Sequence, residues 1–360
     1  MTTDQLTTRP TAVNARWTMC SSSTGVVEDH STLFCFDRPD PMLPVLPPVG
    51  GLQMAHSYSH IPVLRDDIVS LFASVPAGVV VDATVGGGGH SAALLEAYPD
   101  LRLLGLDRDT VALEAARERL APFGDRVTLL HAPFASFGDV VAGPLSGILF
   151  DLGVSSPQLD QAERGFSFRE DAAIDMRMDQ TAGATAGDLV NELPESALAA
   201  LFRENGEGRL SGRIAHAVVQ ARPLTSTAQL AEVVAAAVPA AVRRKGHPAR
   251  RVFQALRISV NDELGQLATA LPVALDRLAV GGVCAVISYH SGEDRLAKQV
   301  FAQAATGGCV CPPNLPCVCG AVARHALVFR GAHKAGPLEV ATNRRSESAR
   351  LRAIVRIEAN

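Results

Sequence analysis

Short apolar runs, each followed by a polar or acidic residue, recur along the first half of the chain. The first run, residues 79–81, consists of three valines and is followed by Asp82 and by four glycines at 86–89. Such a β-branched run is typical of a strand buried in a parallel sheet, and the glycines predict a tight turn. Residues 91–96 then predict the first turns of a helix. This order brings backbone N–H groups and a helix N-terminus against a nucleotide-like ligand.

Three more apolar runs predict three further strands. They cover residues 101–106, 126–130 and 145–150, and the first and last of them end at Asp107 and Asp151. Four strands with helices between them predict a doubly wound α/β sheet whose ligand site lies along the edge where the strands end. Each acid taken alone is equally compatible with capping of the following helix. Three strand-end acids in register favour a shared site.

The pattern changes after residue 156, where strand signals stop and helical periodicity begins. The segment 225–227, Thr-Ser-Thr, supplies an N-cap for the last of the helical segments. The helical segments are 195–203, 212–221 and 227–238, and strand character returns at 282–288, 325–330 and 349–358. The sequence therefore predicts an α/β domain, residues 56–156 and 259–360, interrupted by a helical insertion at 157–258.

The N-terminal segment, residues 1–55, is rich in Thr, Ser and Pro and shows no sustained period, which predicts a disordered extension. The 360 residues suffice for two domains, or for one domain with a large insertion. No apolar run reaches the ~18 residues that a membrane span needs, and the N-terminus lacks the pattern of a signal peptide. We therefore expect a cytoplasmic protein with no membrane partner.

The basic residues are unevenly distributed along the chain. The net charge of −4 taken alone argues against a nucleic-acid partner. However, residues 243–257 contain six basic residues and no acid, and residues 324–356 are rich in Arg. Local basic patches, rather than the total charge, determine phosphate binding. Each patch is equally compatible with a solvated charged surface.

Four of the seven cysteines form a C-x-C-x5-C-x-C pattern made of Cys309, Cys311, Cys317 and Cys319. In a reducing compartment such a cluster indicates a metal more than disulfides. The spacing is not the usual C-x-x-C pattern, so four thiolates around one Zn²⁺ is one interpretation. Uncoordinated or redox-sensitive thiols in a loop are the other.

The position of Asp82 before the glycines indicates which cofactor the sheet binds. In the dinucleotide fingerprint G-x-G-x-x-G, the glycines begin as the strand ends and the ribose acid follows about 20 residues later. An acid that precedes the glycines is more typical of S-adenosylmethionine sites than of NAD sites. Asp107 can accept hydrogen bonds from the ribose of either cofactor, and Phe134 can pack against an adenine. A glycine loop without a ligand is the remaining interpretation.

Several long motifs in a fixed order resemble the RsmH (MraW) family of bacterial methyltransferases, which act on cytosine N4 of 16S rRNA. The similarity covers residues 60–358. The motifs are HIPVL at 60–64, DATVGGGGHS at 82–91, DLGVSSPQLD at 151–160, RGFSF at 164–168, DMRMD at 175–179, FQALRISVNDEL at 253–264 and ISYHSGEDR at 287–295. Several such blocks in order are far more specific than a single glycine motif.

This resemblance implies a Rossmann-like class I S-adenosylmethionine-dependent methyltransferase sheet with an inserted helical domain. The insertion and the basic regions would contact RNA. The implied substrate is a specific cytidine in the decoding centre, near the P-site codon, of 16S rRNA within the small (30S) ribosomal subunit. The residues implied to contact S-adenosylmethionine are Gly88, Gly89, His90, Asp107, Phe134, Asp151 and Gln158. The sequence leaves a homodimer open.

Asp151, Tyr289 and His290 are the candidate catalytic residues. The cytosine amine is a poor nucleophile, so the enzyme must hold it against the methyl group and accept its N–H hydrogen bonds. Asp151 lies where many amino-methyltransferases carry Asp/Asn-Pro-Pro-aromatic, but Leu-Gly-Val follows it here. It serves either this role or binding of the methionine amino group. Tyr289 and His290 supply an aromatic surface or a proton acceptor, or they belong to a structural network with Glu293 and Arg295.

Three other functions are compatible with parts of these patterns. One is a methyltransferase that acts on DNA or on a protein. Another is a non-enzymatic ribosome-assembly factor with the same fold, which the complete glycine motif and the strand-end acids disfavour. A nicotinamide dehydrogenase is disfavoured because Asp82 precedes the glycines.

Overall fold

The computed structural model describes residues 61–141, 143–206, 208–244, 246–312 and 318–358. The predicted disordered extension at 1–55 lies outside these residues, as do His60 and Cys317. Within the described part of the chain, no helix is both long enough and apolar enough to span a membrane.

Seven strands form one sheet. They are β1 Gly78–Asp82, β2 Leu101–Asp107, β3 Val127–His131, β4 Leu145–Asp151, β5 Leu278–Ser288, β6 His325–Leu327 and β7 Arg350–Arg356. Their spatial order is β3-β2-β1-β4-β5-β7-β6. Strands β1 to β5 run parallel to one another, whereas β7 runs antiparallel to both β5 and β6. The strand order reverses between β1 and β4, which is the place where open α/β sheets bind ligands.

Fourteen α-helices lie within the described residues. They are α1 Arg65–Leu71, α2 Gly89–Ala97, α3 Thr110–Leu120, α4 Phe137–Val140, α5 Ser156–Asp160, α6 Ala186–Glu192, α7 Glu195–Glu204, α8 Ser211–Gln220, α9 Thr227–Ala237, α10 Ala240–Arg243, α11 Ala249–Asn261, α12 Glu263–Arg277, α13 Ser291–Ala305 and α14 Pro337–Thr342. Helices α5 to α12 all lie between β4 and β5, and α12 lies outside the segment 157–258 predicted as the insertion.

The central strands are buried on both faces, which explains their continuous apolar runs. Val80 and Leu149 pack on one face of the sheet, in a cluster that includes Ile68 of α1. Val81 and Ile148 point to the opposite face and pack with residues of α12. Successive side chains along each strand thus point to opposite faces of the sheet, and helices cover both faces.

The helical region between β4 and β5 has a hydrophobic core of its own. Val190 of α6, Leu198 of α7, Ile214 of α8 and Leu256 of α11 are all fully buried in one cluster. The predicted N-cap of α9 is confirmed, because the Ser226 hydroxyl accepts a hydrogen bond from the backbone N–H at 229. The region is therefore stabilised by apolar burial within itself, separately from the clusters on the two sheet faces.

Several element boundaries differ from the sequence prediction. Strand β5 begins at Leu278, four residues before the predicted start, and β6 ends at Leu327 instead of residue 330. Helix α11 continues to Asn261, past the predicted end of the insertion at 258. The reason is tertiary, because the Asn261 side chain donates to the Met176 carbonyl and so fastens the end of the helix to the insertion's first loop.

Candidate active site

A cavity of about 360 Å³ opens where the strand order reverses. It is lined by residues at the carboxyl ends of β1, β2, β4 and β5, together with residues of α2, α11 and α12. Of the residues singled out from the sequence, the lining includes Gly89, His90, Asp107, Phe134, Asp151, Gln158 and Tyr289. The prediction that the strand-end acids converge at one edge of the sheet is confirmed, since Asp82 also lines this cavity.

The glycine turn joins β1 to the start of α2. Gly88 is the residue before the helix and has a φ of 75°, a left-handed conformation that favours glycine. A Cβ at Gly88 would lie 3.1 Å from Leu120 of α3, so this glycine faces α3 while Gly89 lines the cavity. The backbone N–H of Gly86 donates to Asp107 at 2.8 Å. The turn is therefore fixed both by helix packing and by the acid of the neighbouring strand.

Asp107 ends β2 and receives hydrogen bonds on both of its carboxylate oxygens. One oxygen accepts from Gly86 N–H and the other from Asp109 N–H at 2.9 Å. Burial raises the pKa of Asp107 to about 6, in spite of these hydrogen bonds. A carboxylate in this environment, at the tip of the second strand, has the position and chemistry of a ribose acceptor.

Asp82 is a cavity residue that the sequence marked as a strand-end acid but not as a site residue. It is almost fully buried and accepts hydrogen bonds from the Ser91 hydroxyl at 2.6 Å and from Thr84 N–H at 3.2 Å. Burial raises the pKa of Asp82 to about 6, against the opposing effects of Ser91 and His90. The signal was present in the sequence, since Asp82 precedes the glycines directly.

Asp151, at the end of β4, lies between two candidate residues from distant parts of the chain. The Tyr289 hydroxyl donates to Asp151 Oδ1 at 2.8 Å. Nε2 of His90 lies 3.4 Å from Asp151 Oδ2, within ion-pair range, but neither ring nitrogen of His90 makes a hydrogen bond among the residues described. Burial, followed by the charge of Asp151, raises the pKa of Tyr289, so the phenol stays protonated and donates.

His290 caps helix α13 behind the cavity. Its Nδ1 accepts from the backbone N–H groups of Gly292 and Glu293, while Glu293 Oε2 accepts from the N–H groups of Tyr289 and His290. Burial alone would raise the pKa of Glu293, but hydrogen bonding and charge from His290, with the charge of Arg257, lower it overall. Glu293 lines the cavity and remains ionised there. His290 thus has a positioning role in this structure.

Phe134 and Gln158 differ in what their side chains can offer to a ligand in the cavity. Phe134 lines the cavity and makes an edge-to-face contact with Phe150, with ring centroids 5.9 Å apart. Both polar groups of Gln158 are already used within the protein: its amide donates to Asp109 Oδ2 at 2.8 Å, and its carbonyl accepts from Ser155 N–H at 3.0 Å. Gln158 therefore shapes the loop after β4 through hydrogen bonds.

Sequence reasoning placed Arg257 in an exposed basic patch, and the structure contradicts this. Arg257 forms a two-pronged ion pair with Glu263, at 2.7 and 2.8 Å, and only 15% of its side chain is exposed. Both residues line the cavity. Arg257 lies in α11 and Glu263 in α12, and Asp262 between the two helices has a φ of 47°. Because the pair is not within one helix, the helical i, i+3 or i, i+4 spacing could not predict it.

The second basic segment is also partly committed to internal contacts. Arg350 and Arg352 both pair with Asp294, at 3.0 and 2.7 Å, and Arg356 donates to the Leu275 and Asp276 carbonyls. These residues hold β7 against α13 and the end of α12. Only part of this segment's positive charge therefore remains for a partner.

The cavity presents charged and polar groups to a ligand. Five carboxylates and four arginines line it, the arginines being Arg108, Arg119, Arg257 and Arg345. Buried polar atoms without a hydrogen-bond partner among the described residues include both ring nitrogens of His90 and Gln266 Oε1. Unsatisfied buried polar groups require a partner that the bare protein does not supply. The lining acids are Asp82, Asp107, Asp151, Glu263 and Glu293.

The strand order, the antiparallel β7 and the acids at the ends of β1, β2 and β4 define a Rossmann-like class I S-adenosylmethionine-dependent methyltransferase. Residues 57–357 match the model of the MraW methylase family. The chain belongs to this family, as the motifs predicted, and S-adenosylmethionine is the methyl donor of this class.

Two bacterial relatives are similar to the chain over almost their whole length. The chain is 51% identical to the ribosomal RNA small subunit methyltransferase H of Symbiobacterium thermophilum, over 84% of this chain and 98% of that protein. It is 49% identical to the protein of the same name in Heliobacterium modesticaldum, over 83% and 99%. A solved structure of an rRNA methylase from Streptococcus thermophilus covers 82% of this chain and 94% of its own at 13% identity, with a TM-score of 0.37. The family assignment rests on the sequence matches.

Proposed function

We propose that this protein methylates N4 of a specific cytidine in the decoding centre of 16S rRNA, near the P site, and that it acts on the small ribosomal subunit. The named function of its relatives, rRNA methylation in the small subunit, supports this assignment. The same assignment places the protein in the cytoplasm, where ribosomal subunits are assembled.

Hydrogen-bond acceptors in the lining of the cavity carry the proposal. Asp151 is held by Tyr289, and Gln266 Oε1 has no hydrogen-bond partner among the described residues. An exocyclic amine presents N–H donors, so a set of acceptors is the complement that it needs. A nucleophile without a hydrogen-bond donor would leave these oxygens unsatisfied.

Nucleophilic attack by a cytosine amine requires help from such acceptors. Its lone pair is delocalised into the ring, and a hydrogen bond from N4–H to a carboxylate pushes electron density back onto the nitrogen. We assign this role to Asp151, with Tyr289 fixing the carboxylate's orientation. S-Adenosylmethionine, when bound, supplies an electrophilic methyl group on a sulfonium centre. The chain's own contribution is to hold the amine in line and to accept its hydrogen bonds.

The remaining cavity residues would bind the donor. Asp107 would accept from the ribose hydroxyls, Phe134 would pack against the adenine, and His90 with Gly89 would face the methionine part. Gly88 and Gln158 would act through the shape of the two loops, since their polar groups are used internally. The carboxylates of the cavity favour the positive charges of the sulfonium and amino groups.

The helical insertion would contact RNA. Arg243, Arg244 and Arg250 are exposed on α10, α11 and the segment between them, with the exposed Arg251 beside them. A cytosine within folded rRNA must leave its stack to reach Asp151, whose side chain is 25% exposed at the cavity. Phosphate contacts by the insertion would position the RNA for this step.

Methyl transfer from labelled S-adenosylmethionine tests the proposal. The acceptors are small subunits from cells that lack this activity, with free 16S rRNA and duplex DNA alongside, and labelled nucleosides are identified by mass. We expect N4-methylated cytidine from the subunits, formed much more slowly by an Asp151→Asn variant that still binds the donor. Labelled DNA, labelled protein, or no transfer despite donor binding would contradict the substrate assignment.

A further inference from the structure

Three cysteines converge on the loop between α13 and β6, outside the cavity described above. The sulfur atoms of Cys309, Cys311 and Cys319 all lie within 4.8 Å of one another. The sulfurs of Cys309 and Cys319 are 3.6 Å apart, although these residues are ten positions apart in the chain. The fold therefore brings together in space three thiols that the sequence showed only to be close in residue number.

The sulfur spacing is that of a metal site. With Zn–S distances of about 2.3 Å, a tetrahedral zinc site places its sulfurs about 3.8 Å from one another. A disulfide would need about 2.05 Å. The 3.6 Å between Cys309 and Cys319 is close to the edge of such a tetrahedron.

Backbone contacts hold the loop in the geometry that a metal needs. The N–H of Val318 donates to the Cys311 sulfur at 3.4 Å, the type of hydrogen bond that orients and stabilises a metal-bound thiolate. Gly307 has a φ of 62°, and a Cβ there would lie only 2.4 Å from the Val322 carbonyl oxygen. The residues before and after the cysteines are therefore in direct contact, at Gly307 and Val322.

In the described part of this loop, the apolar side chains next to the cysteines are not buried. Val310 and Val318, which stand next to the cysteines, are 86% and 90% exposed. A short segment that cannot bury a core is commonly held by a metal or a disulfide, and the sulfur spacing here favours the metal.

We propose that Cys309, Cys311 and Cys319 bind a structural Zn²⁺ that closes the loop between α13 and β6. Each coordinating thiol loses its proton as the metal binds, and no electron transfer is involved. Thiolate ligands select zinc over the harder cations magnesium and calcium. The proposal concerns a site separate from methyl transfer and does not depend on the rRNA substrate.

Metal analysis of the full chain tests this proposal. The protein is purified under reducing conditions from zinc-supplemented cells, and zinc is quantified by mass spectrometry. We expect about one zinc per chain. After exchange with Co²⁺, the wild-type protein should show thiolate-to-cobalt charge-transfer absorption, a readout that requires no variant.

Cysteine variants locate the metal. Cys309→Ser, Cys311→Ser and Cys319→Ser should each weaken zinc affinity by more than about tenfold, with the far-ultraviolet circular dichroism unchanged. Cys284→Ala is the matched control, because this thiol is buried in β5 and should leave the zinc content unchanged. The proposal is overturned if reduced wild-type protein shows no charge-transfer band with cobalt, or if a variant with all three cysteines changed to serine keeps its zinc. A disulfide between Cys309 and Cys319 would also overturn it.

Discussion

The carboxylates at the strand ends have different surroundings although they share one edge of the sheet. Asp107 accepts two backbone N–H groups, Asp82 accepts a hydroxyl and one backbone N–H, and Asp151 accepts the phenol of Tyr289. Backbone donors fix a carboxylate rigidly, whereas side-chain donors orient it from one side only. This difference matches the proposed division between donor binding by Asp107 and chemistry at Asp151.

Asp151→Asn should separate the two roles that the sequence left open for this residue. If Asp151 accepts from the amine, kcat falls by about 10²–10³-fold while the Kd for S-adenosylmethionine changes little. Single-turnover methyl transfer and calorimetry measure the two quantities. Tyr289→Phe keeps the carboxylate but removes its donor, so a loss of about 10–100-fold is expected. Weaker donor binding with an unchanged rate would assign Asp151 to the methionine amino group instead.

The pH dependence of donor binding follows from the raised pKa values of Asp82 and Asp107. Both acids have a pKa of about 6 in the protein without ligand, so both take up protons as the pH falls through that value. A cationic ligand favours their ionised forms. The affinity for S-adenosylmethionine should therefore fall as the pH drops from about 7 to about 5, with protons released on binding near pH 6.

Calorimetry in two buffers of different ionisation enthalpy measures this proton release. S-Adenosylhomocysteine, which lacks the sulfonium charge, is the matched ligand and should show a smaller pH effect. A donor affinity that is constant from about pH 5 to about pH 7 would show that the ionisation of Asp82 and Asp107 does not affect donor binding, contrary to this prediction.

At the scale of elements, one buried ion pair connects three segments around the cavity. Asp109 caps α3 through Val111 N–H, pairs with Arg164 at 2.9 Å and accepts from Gln158. Arg164 also donates to the carbonyls of Arg177 and Met178. The loop after β4 and the beginning of the insertion are thus attached to the first turn of α3, next to the donor site.

Arg164→Met should destabilise the protein strongly. It leaves the Asp109 carboxylate buried without its charged partner, at a cost of about 3–5 kcal/mol in the free energy of unfolding. Urea denaturation measures the change. Arg169→Met, at an exposed position, is the control and should cost less than about 0.5 kcal/mol. The double variant Asp109→Asn/Arg164→Met should recover part of the loss, and a single variant as stable as the control would refute the argument.

Across the whole molecule, the net charge of −4 conceals an uneven distribution of charge. Five carboxylates and four arginines line the cavity, whereas Arg243, Arg244 and Arg250 are exposed on the helical insertion. Arg257 belongs by sequence to the basic group but by structure to the cavity. A protein of net negative charge can therefore present a basic surface to RNA.

The double variant Arg243→Ala/Arg244→Ala should weaken binding to the small subunit without changing donor affinity. Removing an arginine that binds a phosphate reduces the slope of log affinity against log salt by about one. Filter binding at several salt concentrations measures this slope. Arg117→Ala, which removes the same charge from the exposed face of α3, is the control. An unchanged slope in the double variant would exclude these arginines from the RNA interface.

The parts of the fold that were predictable are those with a local cause. The strand-forming runs, the glycine turn and the acids after β1, β2 and β4 were located correctly from the sequence. Helix α11 was not among the predicted helical segments, and its end is fastened by the hydrogen bond between Asn261 and Met176, which joins two segments 85 positions apart. Local patterns report burial and backbone conformation, and they do not record which distant segment lies opposite.

The sequence by itself determined the type of sheet, the position of the glycine turn and the family, since strand burial, left-handed backbone and motif order are properties of short segments. Only the tertiary structure decided the partners. It placed Tyr289 on Asp151 across 138 positions, buried Arg257 against Glu263 and brought Cys309 within 3.6 Å of Cys319. Such pairings depend on how whole elements pack, because a side chain's distance to a remote residue is set by every strand and helix between them.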